Sequence, residues 1–206
     1  FFDPETAIND KKCFARWGQG AKLRAMRRID CHVHLVGDGS AGTGCWLRTP
    51  NPVRWLAARL LVRASGLPMA ALKSGLDDAY AESLVRRVRE SSLDAVVLLA
   101  MDLPYSDTGE ALERKATFYV PNERVLDLGA SHPEIIPACS IHPGRPDAME
   151  ELEKCIAGGA KVMKLLPNCH NVNCSDPGTR EHCNCSFRDH RHVNNYAVTF
   201  SYALLL

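Results

Sequence analysis

No run of apolar residues in this sequence approaches the roughly 20 that a membrane-spanning helix needs. Net charge is also almost absent, because 25 basic and 24 acidic side chains leave +1. Nothing therefore favours nucleic acid or an acidic membrane surface as a partner. The first residues show no basic segment, apolar run and cleavage site in succession, so no signal peptide is visible. These absences favour a globular protein, and its 206 residues suffice for one sizeable core or two small ones.

Cysteine is not scarce, but its number and distribution do not predict a disulfide framework. There are nine cysteines, an odd number, and they are scattered along the chain. Cys31, Cys139 and Cys155 lie in apolar, strand-like segments, which favours reduced, buried thiols. We therefore expect a cytoplasmic protein. Its 46% hydrophobic and 24% charged residues are typical of an ordinary globular domain.

Two histidines, His32 and His34, lie one residue apart in the predicted strand RIDCHVHLVG (28–37). Residues i and i+2 of a strand point to the same side, so both imidazoles are expected to face one way. With Asp30 close by, such a pair suits a divalent metal such as zinc. The alternative is a buried core strand that carries two histidines without a ligand.

Strands and helices are predicted to alternate over most of the chain. Strands are expected near 28–35, 94–101, 135–141 and 160–166, and helices near 52–64, 76–89, 122–132 and 147–157. Continuous rather than alternating hydrophobicity over 94–101 indicates burial on both faces, as in a parallel sheet. Ser74 to Asp77 resembles a capping box, and Asn122 is a plausible N-cap.

The helix that Pro52 opens is predicted to carry an apolar face of Val53, Leu56, Leu60 and Leu61. It lies between the first strand and that strand's expected partner helix, as an insertion would. Its three arginines (54, 59 and 63) could bind an anionic substrate or form a solvated face.

Two further residues are candidates for the same site. His142 follows the third predicted strand, and Lys164 lies near the end of the fourth. Parallel strands bring their carboxyl ends to one edge, where such folds place their sites. A buried lysine is costly unless it is neutralised, paired or bound to a metal in a modified form. Lys164 could instead pair with a strand-end carboxylate such as Asp102.

These motifs resemble one branch of a known superfamily. The IDCHVH segment (29–34) looks like the opening strand of the amidohydrolase superfamily. The segments 122–133, ACSIHP (138–143) and GAKVMKLLP (159–167) resemble its amidohydrolase-related branch of metal-dependent hydrolases and some decarboxylases. The resemblance covers about Arg27 to Pro177.

The resemblance implies a (β/α)8 TIM barrel with a metal, most often zinc, at its carboxyl mouth. His32 and His34 match the ligand pair of the first strand. Lys164 matches a fourth-strand lysine that is carboxylated in some members. His142 matches a third-strand position whose role is not assigned. Both residues are possible metal or substrate ligands. A metal-activated water would hydrolyse a small-molecule substrate.

The chain also departs from the family pattern. The family draws histidines from strands five and six and an aspartate, commonly the catalytic base, from strand eight; none has a counterpart here. A full barrel needs ~250 residues. We therefore expect a truncated barrel of about four β/α units at 26–177. Residues 1–25 are expected to be a non-native extension and 178–206 an atypical tail, as a frameshift or a wrong gene boundary would produce.

Three alternatives to an incomplete hydrolase remain. The chain could be an inactive fragment or pseudoenzyme that self-associates through the exposed edge of a half-barrel. It could be a metal-dependent decarboxylase of the same superfamily. The tail segment HCNC (182–185), with His190 and His192, could bind zinc, although its spacing is not that of a standard finger.

Overall fold

The computed structural model describes residues 27–48, 51–64, 66–72, 75–170, 172, 177 and 197–200. In chain order, its strands are β1 (Ile29–His34), β2 (Trp46–Leu47), β3 (Ala95–Leu99), β4 (Phe118–Tyr119), β5 (Ile135–Ser140), β6 (Val162–Leu165) and β7 (Ala197–Phe200). Its α-helices are α1 (Pro52–Ala64), α2 (Leu76–Glu90), α3 (Asn122–Ser131), α4 (Ala148–Ala157) and α5 (Pro167–His170), and 3-10 turns lie at Met69–Leu72 and Glu113–Lys115.

The main sheet is parallel, and its strand order is β1-β3-β5-β6-β7. Its first four strands are curled and alternate with helices, so the predicted mixed α/β architecture is confirmed in a form compatible with part of a β/α barrel. β7 extends the sheet from within the predicted tail. The predicted extension 1–25, the histidines at 182, 190 and 192 and the two tail cysteines between them lie outside the described residues.

The two faces of the sheet bury different side chains. The face toward the helices includes Val96 and Leu98 of β3, which pack with Val85 of α2 and Val125 of α3. The opposite face, called the concave face here, has an apolar layer of Val97, Leu99, Ala138 and Val162. All four of these residues are buried.

β1 is less buried than predicted. Its first four residues are exposed, including Cys31, whereas β3 is buried throughout. The reason is its place in the strand order, because β1 pairs only with β3 among the described strands. Cys139 and Cys155 are buried and free, as predicted.

Helix α1 forms where the sequence predicts it, but most of its apolar face is not covered. Val53, Leu56 and Leu60 are all more than half exposed. The Arg59 guanidinium lies 4.4 Å from the centre of the Trp55 ring, a cation–π contact. Among the described residues, no helix is both long enough and apolar enough to cross a membrane.

The expected capping box at Asp77 is not formed. Gly75, with φ of 80°, is the N-cap of α2 and no side chain caps it. The buried Asp77 carboxylate instead accepts hydrogen bonds from the backbone of Asp38 (2.5 Å) and Gly39 (3.1 Å) and from the Thr43 hydroxyl. Asp77 thus fastens the glycine-rich loop after β1 onto α2.

We expect Asp77→Ala to lower the free energy of unfolding by about 2 kcal/mol, because three hydrogen bonds to a buried carboxylate are lost. Urea unfolding at pH 7 measures this. The matched control is Asp78→Ala, which removes an exposed carboxylate paired with Arg124 and is expected to cost less than about 1 kcal/mol. Equal losses in the two variants would contradict the proposed anchor.

Asn122 does not cap its helix either. The N-cap position of α3 belongs to Pro121. The buried Asn122 side chain accepts a hydrogen bond from the Ser140 backbone at 2.8 Å and donates one to Glu151 Oε1 at 2.6 Å. It therefore joins the carboxyl end of β5 to α3 and α4 from inside the core.

Candidate metal centre at the strand ends

The two histidines of β1 converge at its carboxyl end. Their Nε2 atoms are 2.9 Å apart, and the rings meet edge to face with centroids 4.8 Å apart. Either one imidazole donates its N–H to the other, or both lone pairs point toward a shared cation. The prediction that His32 and His34 face the same way is confirmed.

A β-bulge made of Cys31 and His32 includes the first histidine of this pair. Asp30 pairs with Val96 and Val33 with Leu98, so two residues of β1 face the single Val97 of β3. Bulges re-aim side chains and are frequent beside functional sites. The Asp30 carboxylate accepts a hydrogen bond from the backbone N–H of His32 at 3.0 Å, within the same strand.

His34 lies in an environment that keeps its imidazole neutral. Burial, and then the positive charge of Lys164 and the neighbouring His32, lower the pKa of His34 to about 4. A neutral imidazole has the free lone pair that a metal requires. Its ring also contacts Phe118 of β4 edge to face, with centroids 6.2 Å apart.

The described residues fit a divalent metal only in part. The pair supplies two nitrogen ligands, but within the described part of the chain no third His, Cys, Asp or Glu joins it in an arrangement that could hold an ion. The buried His34 Nδ1 also has no hydrogen-bond partner there, whereas a metal-bound histidine usually donates from its second nitrogen. Among the described residues, His32 and His34 thus offer two nitrogen atoms that could hold a metal.

Lys164 is fully buried on the concave face. Its ammonium donates to the Ala100 carbonyl at 2.9 Å and lies 3.7 Å from Met101 Sδ. It is next to Ser140 in the register of β5 and β6. Its charge lowers the pKa of His34 and of His170, so it lies near both histidines.

His142 is already committed to bonds within the protein. Its Nε2 donates to the His170 carbonyl at 2.8 Å, and its Nδ1 accepts from the Gly144 backbone at 2.9 Å. These partners require the neutral tautomer protonated at Nε2. Burial lowers its pKa, which favours the same neutral form.

Asp102 contacts the backbone of His142. It is buried after β3, and one carboxylate oxygen accepts the His142 backbone N–H at 2.7 Å and Arg145 Nη1 at 3.3 Å. Burial raises the pKa of Asp102, against these two interactions. The Tyr105 ring stands 5.1 Å from that of His142.

His170 at the end of α5 is the site residue that the sequence pattern misses. It is 2% exposed, and within the described part of the chain neither ring nitrogen meets a hydrogen-bond partner. Its ring centroid is 5.9 Å from that of His142. The only sequence hint is a histidine three residues beyond the strand-end Pro167.

No family model, curated protein or solved structure matches this chain.

Proposed function

We propose that this chain carries the first-strand part of the metal centre of a hydrolase similar to the amidohydrolase superfamily. The observation that supports it best is the His32–His34 pair, whose Nε2 atoms are 2.9 Å apart at the carboxyl end of a parallel strand. The buried Lys164 on the concave face adds a cation beside that pair. The family resemblance of both motifs supplies the reaction class.

His32 and His34 would hold the metal, and zinc is the metal that two imidazoles suit best. When bound, such an ion lowers the pKa of a water and polarises a substrate carbonyl. The protein would keep the His34 ring neutral and buried, and Lys164 would present positive charge to a polar substrate beside it. No described residue is assigned as the base, and carboxylation of Lys164 is not needed for this proposal.

Two other functions keep a specific observation in their favour. The shortage of a third ligand among the described residues favours an inactive fragment or pseudoenzyme. The exposed β1 edge would then be its surface for self-association. A metal-dependent decarboxylase would use the same two histidines, and product analysis distinguishes it by released carbon dioxide.

Zinc titration of the metal-free 206-residue chain by calorimetry tests the proposal. We expect one zinc per chain and a loss of affinity of more than about tenfold in His32→Ala and in His34→Ala, because each change removes a ligand. His132→Ala is the matched control, since this half-buried histidine lies before β5, at the opposite end of the sheet. Binding that is equal in all four proteins would contradict the site.

Hydrolysis of p-nitrophenyl acetate by the zinc-loaded chain tests the incomplete state of the site. We expect slow, zinc-dependent turnover that His34→Ala abolishes, because two protein ligands hold the ion loosely. Turnover near the enzyme median of about 10 s⁻¹ would show that the site is complete.

A further inference from the structure

The carboxyl end of β6 carries a buried histidine that the protein leaves unsatisfied. Among the described residues, neither ring nitrogen of His170 meets a hydrogen-bond partner, although the residue is 2% exposed. An unpaired buried polar group is costly, so native proteins nearly always pair one with protein, water or ligand. The free nitrogens of His170 therefore indicate a group that binds there.

The backbone of His170 is held on both sides, unlike its ring. Its N–H donates to the Leu166 carbonyl at 2.9 Å, and its carbonyl accepts the Nε2 proton of His142 at 2.8 Å. His142 is itself fixed by the Gly144 N–H and, through its own backbone, by Asp102. The result is a rigid support that presents a free imidazole.

Lys164 lies close enough to this imidazole for its positive charge to act on it. Ser140 is fully buried, its hydroxyl has no partner among the described residues, and Lys164 is its register neighbour on β6. Ser140 and Lys164 lie on the concave face. Each follows a residue of the apolar layer, Ala138 or Val162, by two positions and so lies closer to the carboxyl end of its strand. Burial, and then the charges of His142 and Lys164, lower the pKa of His170 and keep its imidazole neutral, against the weaker effect of the Asp102 backbone, which raises the pKa.

We infer that His170 binds an oxygen of the substrate, a carboxylate or carbonyl oxygen, and that His142 is the residue that positions it. A neutral imidazole offers one N–H donor, Lys164 adds an ammonium whose charge acts on the ring, and Ser140, the register neighbour of Lys164, adds a hydroxyl. An acceptor oxygen complements all three. That the bound molecule is a substrate rests on the proposed function. The binding of its oxygen does not, because binding can be measured without a reaction.

Imidazole ¹⁵N NMR of the full chain tests this with acetate and acetamide as probes. Acetate is expected to shift the His170 nitrogens saturably if the oxygen is a carboxylate, and acetamide if it is a carbonyl. His170→Phe assigns these resonances and should weaken binding more than about tenfold, whereas His132→Gln should not. No saturable shift with either probe, as for a buried water alone, would overturn the inference.

The positioning role has its own readout. His142→Phe, which removes both ring bonds, should move the His170 resonances and weaken probe binding, and His142→Gln, whose amide can donate again, should restore both. If His142→Phe leaves the His170 resonances and probe binding unchanged, His142 does not position His170. Zinc affinity should be unchanged in every one of these variants. If the wild-type chain does not bind zinc, the proposed function is contradicted, whereas the inferred oxygen binding at His170 is not.

Discussion

Between pH 7 and pH 4 the metal-free protein is expected to lose about 3 kcal/mol of unfolding free energy through His170 alone. Burial and its neighbours lower the folded-state pKa of His170 to about 3, whereas an unfolded histidine has a pKa of about 6.5. Between these values the unfolded chain takes up a proton that the folded chain does not. Stability therefore falls as the pH falls through this window, and this contribution is constant above it.

Urea unfolding at pH 7, 6, 5 and 4 measures the slope. His170→Gln is expected to flatten the curve by roughly 1.4 kcal/mol per pH unit below pH 6, since that is the free energy of one differential proton. His132→Gln is the control and should keep the wild-type slope. The same slope in His170→Gln as in the wild type would mean that His170 is not buried and neutral.

Leu98→Ala is expected to lower the free energy of unfolding by about 3 to 5 kcal/mol, because it leaves a cavity in the core. Leu98 of β3 is 0% exposed and packs in the cluster between the sheet and helices α2 and α3. Its loss would leave a cavity that a parallel sheet cannot readily close. Chemical unfolding at pH 7 with tryptophan fluorescence measures the change.

Leu60→Ala is the matched control for this core variant. Leu60 lies on α1 and is 59% exposed, so the same truncation should change the unfolding free energy by less than about 0.5 kcal/mol. A loss as large as that of Leu98→Ala would show that the apolar face of α1 is covered in solution.

The local sequence pattern is sufficient to predict the buried parallel strands and the common side of His32 and His34 on β1. The continuous apolar run of β3 predicts a strand buried on both faces, and the structure has one. The spacing of His32 and His34 fixes their common side whatever the rest of the fold does. These features depend on periods of a few residues, which the sequence shows directly.

Features that join distant segments were not predictable in this way. The short antiparallel pairing of β2 with β4 joins residues about seventy positions apart, with two residues in each strand. Asp77 looks like a helix cap in sequence, but its partners lie almost forty residues earlier. The exposure of β1 follows from the strand order, which no local window contains.

His170 was missed for a related reason. It ends a helix of only four residues, too short for any apolar period to reveal. Its importance comes from burial and from the carbonyl contact with His142, both of which exist only in the folded chain.

X-ray absorption of the zinc-loaded 206-residue chain tests the central claim, that His32 and His34 are metal ligands, most directly. We predict light-atom ligands at about 2.0–2.1 Å with the scattering pattern of two imidazoles, and loss of that pattern in the His32→Ala/His34→Ala double variant. Sulfur ligands at about 2.3 Å would instead point to cysteines. That result, or an imidazole pattern unchanged in the double variant, would contradict the claim.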